Sequence, residues 1–109
     1  MTMKNFIQPG TVVTVPAPAN TASGSGVLVG SIFGVACYDA LSGAPLEIAT
    51  EGVFELVKLS AQAWTVGAPI YWDDTNKQCT TTASGNAKIG HATEVAANPS
   101  ATGRVRLSV

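Results

Sequence analysis

Charge is what this sequence has least of. Only 12% of its 109 residues are Asp, Glu, Lys or Arg, and 6 Lys plus Arg against 7 Asp plus Glu leave a formal net charge of −1. So weak a field does little to hold a phosphate backbone, which argues against nucleic acid as a partner. Aromatic residues are also scarce, at 6%, and the basic residues are not grouped around them, so little surface is offered for stacking bases or sugars. Cysteine is limited to Cys37 and Cys79. Their separation matches no CxxC spacing of a redox or zinc motif, and the expectation is two free, buried thiols in a chain made and kept in a reducing cytoplasm. No apolar run approaches the ~20 residues needed to cross a bilayer. Behind Lys4 there is no apolar signal core, because Gln8-Pro9-Gly10 interrupts at once. Neither a secretion signal nor a membrane partner is expected.

What is present is small, apolar and turn-rich: 46% hydrophobic residues, with 11 glycines and 6 prolines. The chain fits one domain of modest core. Its organising stretch runs from Trp64 to His91. There Ile70-Tyr71-Trp72 favours a strand, Asp73 to Asn76 is a turn cluster, and Lys77 to Thr82 resumes the strand as a hairpin. Ser84-Gly85-Asn86 gives a second turn, and Gly90 inside the next strand signals a bulge or a close backbone approach.

Before this block, strands are expected over Thr11 to Val15, over Val27 to Val29 and Ile32 to Tyr38 with Gly30-Ser31 as a tight turn or a bend, the bend being favoured, and over Leu46 to Thr50. Asn20 to Gly26 reads as a flexible polar loop. Val53 to Lys58 is apolar on both faces and reads as a central strand. Ser60 to Trp64 has the propensity for a single helical turn. Glu94 to Gly103 reads as a loop, and Arg104 to Val109 alternates strictly, as a strand with one buried and one wet face does. The fold expected is all-β: a small antiparallel β-barrel or sandwich over residues 11–109, with an N-terminal arm over residues 1–10 and at most one short helical turn. On that arm Phe6 and Ile7 are two sizeable apolar side chains ahead of Pro9-Gly10.

The candidate chemistry is thin. Gly24-Ser25-Gly26 precedes a strand where a phosphate-binding glycine loop follows one and opens a helix. His91 is the only histidine, and no serine sits in an elbow such as GxSxG, so no nucleophilic constellation is predicted. Asp73, Asp74 and Asn76 lack the later acidic residue of a calcium loop. No catalytic residue, cofactor or metal is expected. Trp64 and Trp72 read as core or interface packing, and with Phe6 and Ile7 they are the interface candidates.

An ordered set of segments resembles the tailed-bacteriophage capsid cement, or head decoration, family. The set is NFIQPGTVVTVPAP (Asn5 to Pro18), SGSGVLVGSIFGVACYDALSG (Ser23 to Gly43), EGVFELVKL (Glu51 to Leu59), AWTVGAPIYWDDTNKQCTTT (Ala63 to Thr82), GNAKIGHA (Gly85 to Ala92) and the terminal RVRLSV. Thr11, Val57 and Ala68 depart from it, standing where the family tends to carry an acidic residue, a proline and an acidic residue. The resemblance implies a non-enzymatic virion protein on the capsid surface, partnered by the major capsid protein and by copies of itself, a trimer being favoured. The alternative is a small β-barrel binding module for carbohydrate or nucleic acid, and behind it a small hydrolase.

Overall fold

The computed structural model describes residues 10–108, which form nine strands and no helix. Four make one sheet: β1 (Val12–Pro16), β2 (Gly26–Val29), β3 (Ile32–Ala36) and β4 (Pro45–Ala49), in the order β1-β4-β3-β2. Five make the other: β5 (Gly52–Val57), β6 (Pro69–Asp73), β7 (Gln78–Thr80), β8 (Ala87–Ala92) and β9 (Thr102–Leu107), in the order β5-β9-β8-β6-β7. Every ladder is antiparallel. The all-β expectation holds, and the architecture is two sheets, one of them curled into a half-barrel.

The curl follows from where the second sheet's two ends meet. Lys58 forms a parallel bridge with Cys79, and the Leu59 N–H donates to the Cys79 carbonyl at 2.9 Å. Inside lie Leu56, Trp64, Ile70, Trp72, Cys79, Ile89, Val105 and Leu107, joined by Val35 from the first sheet. The first sheet carries a second cluster on its other face, built from Val15, Val27, Ala36, Leu46 and Ile48. The β2–β3 hairpin therefore feeds both, sending Leu28, Phe33 and Val35 one way and Val27 and Ala36 the other. This double duty explains why its sequence is apolar throughout rather than alternating.

Several local expectations hold. In β4 Leu46 and Ile48 are fully buried while Glu47 is exposed, and in β9 Val105 and Leu107 point in while Arg104 and Arg106 point out. β6 and β7 pair across a turn in which the Asp73 carboxylate accepts the N–H groups of Thr75 and Asn76 at 3.0 and 3.2 Å. Gly90 shows both features its sequence signalled. The β6–β8 register shifts between Ile70 and Tyr71, and a Cβ on Gly90 would sit 1.9 Å from the Arg106 carbonyl oxygen.

Others need correction. Gly30-Ser31 is a tight two-residue turn joining paired Val29 and Ile32, made possible by the positive φ of 59° at Gly30. The strand from Gly52 is not central but ends the sheet; its outer-face Val53 and Val57 are 55% and 57% exposed. The segment 59–62 makes one hydrogen-bonded turn, Gln62 N–H to the Leu59 carbonyl, and no helix. Its shape is set by the buried Lys58, whose ammonium donates to the carbonyls of Leu59 at 2.8 Å, Ser60 at 3.3 Å and also Gln62. The loop after β1 is pinned rather than loose. Thr21 bridges Ala40, the Ser23 N–H donates to Asp39, and the Ser42 N–H donates to Asn20. β9 begins at Thr102, inside what reads as loop, and Cys37 is exposed where burial was expected.

Gly90→Ala drives a methyl into the β9 backbone, which cannot retreat without breaking its ladder; a loss of about 3 kcal/mol or more is expected in denaturant melts. Both thiols are free, Cys37 exposed and Cys79 buried. Burial pushes the Cys79 thiol up to about 12. An alkylating reagent should therefore mark Cys37 alone in the native protein and both once unfolded, counted by mass spectrometry. Because an unfolded thiol ionises near pH ~8.5, between there and about 12 the unfolded chain sheds a proton the native chain keeps. Cys79 thus makes stability fall as pH rises through that window, by at most ~1.4 kcal/mol per unit, a slope that Cys79→Ala should lack.

Candidate interaction surface

The sequence nominated four aromatic or aliphatic anchors, and the two that the structure describes are core residues. Trp64 is 1% exposed and Trp72 3%. Trp64 reaches its place through the Trp64–Ala96 bridge, with the Lys58 ammonium 5.9 Å above the ring centre. Its six-membered ring lies so close to Gly103 that a Cβ there would stand 2.3 Å from it. Trp72 is the joint between the sheets. Its ring packs on Phe33 at 5.0 Å between centroids, a Cβ on Gly26 would stand 2.6 Å from it, and its indole N–H donates to Asp74 at 3.1 Å. Trp72 thus joins the two sheets and also lines the groove described below, while Trp64 packs inside the second sheet. Phe6 and Ile7 lie outside the described residues.

The polar residues weighed for chemistry do not converge. His91 is half-buried on β8, opposite Pro69 on one side and Arg106 on the other. Asp73 and Asp74 serve their own turn. Hydrogen bonds from the Asn76 side chain and backbone hold the Asp73 carboxyl below its usual range, and the Lys77 ammonium, 2.7 Å from Asp74, does the same there. Among the described residues no group of three His, Cys, Asp or Glu side chains is placed to hold a metal ion.

What the surface does offer is apolar side chains and an open strand edge. Leu41, Val66 and Val95 are 72%, 66% and 73% exposed. Val66 and Val95 flank the Trp64–Ala96 bridge, and Val53 and Val57 stand on the outer face of β5. Between β2, β5 and the β6–β7 turn runs a groove of about 550 Å³, lined by Ser25, Leu28, Leu56, Val57 and Asp74 among others. Sequence reasoning missed this surface. The signal was in the chain, as the two-sided apolarity of Val53 to Lys58, which fits an edge strand with one face free as well as it fits a central one.

No curated protein and no solved structure matches the chain in these comparisons. A family model does: that of the phage cement proteins matches residues 7–107. It thus spans all nine strands, both clusters and the open edge. A match over so much of the chain's length establishes that this chain belongs to the phage cement protein family.

Proposed function

We propose that this chain binds the outside of an assembled phage head, contacting the major capsid protein, and stabilises the shell without catalysing a reaction. It acts as a homo-oligomer, a trimer being favoured, made in the bacterial cytoplasm and carried on the virion. The observation that carries this reading is the family match across the folded body. The exposed surface supports it: valines and a leucine on a sheet frame, few charges, and both tryptophans committed to the interior. A cement subunit gains its strength by repetition, since modest contacts multiplied over a symmetric shell hold firmly. Residues 11–109 act as one folded unit in this reading, and residues 1–10, with Phe6 and Ile7, as an attachment arm that adds to a sheet edge or lays its side chains into a groove.

Two measurements test it. Purified protein added to heads that lack it should bind at many copies per particle and raise the temperature at which the heads release their DNA; heads that neither bind it nor gain stability would sink the proposal. Deleting residues 1–8 should leave a cooperative melt while weakening self-association or attachment to heads. Decoration by the shortened chain as good as that by the full chain would move the contact to the strand surfaces.

A further inference from the structure

β5 is an edge that the fold leaves open, and its hydrogen-bonding phase is fixed by one bond beyond it. The Lys58 N–H donates to the Ala101 carbonyl at 2.9 Å, so Lys58 is a bonded partner of the strand leading into β9. Antiparallel pairs alternate between bonded and non-bonded. With Leu56 opposite Gly103 and Phe54 opposite Val105, it is Gly52, Phe54 and Leu56 that spend their backbone groups on β9. The N–H and C=O groups of Val53, Glu55 and Val57 therefore face the other way. There β7 meets β5 only at the end that leads into the Lys58–Cys79 bridge, and no further strand of the described residues pairs beside Val53 and Glu55. The groove of about 550 Å³ opens on this side, with β2, the outermost strand of the first sheet, across from it.

We infer that this groove receives residues 1–9 of a neighbouring copy, laid as an added strand along the open edge of β5. Fully extended, nine residues span at most about 30 Å, enough for the roughly 20 Å of a six-residue strand. The chemistry matches. Phe6 and Ile7 face a groove whose apolar lining includes Leu28, Leu56, Val57 and Trp72, and Lys4, the only charged side chain in residues 1–9, meets a lining that holds Glu55 beside the Asp74–Lys77 ion pair. The donor is a second copy because of where the arm begins. Gly10 lies by Thr50, sharing a hollow with Gly52, Arg106 and Ser108, on the β9 side of β5. A copy's own groove lies across β5 from that point, whereas a neighbour's can be approached directly. Each copy then gives one arm and receives one, a head-to-tail contact that closes into a ring when its rotation permits. The inference deepens the cement reading by naming what joins the copies, and rests on it only for the existence of an oligomer.

Cross-linking tests it on the full chain in a Cys37→Ser background, which removes the exposed thiol. Phe6→Cys protein mixed with size-tagged Glu55→Cys protein should form a mixed disulfide on mild oxidation. Lys88→Cys, exposed on β8, should form none with the same partner. Absence of the mixed disulfide, or an intrachain bridge in a Phe6→Cys/Glu55→Cys double variant at high dilution, would overturn the exchange. Independently, Glu55→Pro removes an N–H from the open edge and none from the β9 ladder. The far-UV spectrum should be unchanged while the dissociation constant for self-association, read by sedimentation, rises about tenfold or more. An unchanged constant overturns the arm-in-groove contact. Head binding is scored separately, so wild-type protein that self-associates but ignores heads removes the cement reading and leaves this contact standing.

Discussion

The half-barrel depends on a seam that is stitched at one point. Five strands curl far enough for Lys58 to reach Cys79, but β7 has only three residues and runs out where the closure would have to continue. The stitch is reinforced from inside by the Lys58 ammonium, which gathers the carbonyls of Leu59, Ser60 and Gln62 and fixes the turn that follows. Burial pulls the Lys58 pKa down, the cost of placing an ammonium there, and those carbonyl bonds offset it. Beyond the few contacts that β7 makes next to the stitch, β5 is left as an edge. Edges of this kind template unwanted pairing unless they are covered or charged. Here Glu55 supplies a charge between two exposed valines, and the arm proposed above would supply the cover.

The second structural commitment is the joint at Trp72. An indole wedged between Phe33, Gly26 and its own Asp74 carboxylate locks the β2–β3 hairpin onto the half-barrel. Burying a side chain of this size contributes on the order of 2–3 kcal/mol, and the ring contact with Phe33 adds to it. Because that hairpin is also the floor of the second cluster, a shift at Trp72 is felt on both sides of the first sheet. The two sheets thus behave as one body with the groove at their junction. A rigid body is what repeated attachment needs, since a contact ordered beforehand loses less entropy on binding.

How far the sequence discloses this varies by element. β9 and β4 are legible because their alternation is undisturbed, one face buried and one wet. The β6–β7 turn is legible because Asp73 hydrogen-bonds its own backbone in the way such clusters do. Gly90 is legible as a place where backbones meet, though only the structure supplies Arg106 as the partner. β5 misleads because apolar side chains on both faces have two physical causes, burial in a central strand or exposure at an interface, and one sequence does not separate them. The tryptophans are legible only in part. A large ring with a polar handle suits core and interface alike, and what buries these two is Gly103 and Gly26, whose missing side chains make room from far away in sequence.

The open groove itself is the feature least visible in the chain, because it belongs to an arrangement and not to a motif. It requires that β2 and β5 both end their sheets and that the Trp72 joint brings those ends together, and neither condition has a local signature. With both conditions met, scarcity of charge takes on a positive meaning. With so few ions on the surface, the association proposed between copies gains little from long-range attraction and rests on backbone pairing and apolar anchors at short range. Those are the two resources that an unpaired strand edge beside an apolar groove provides.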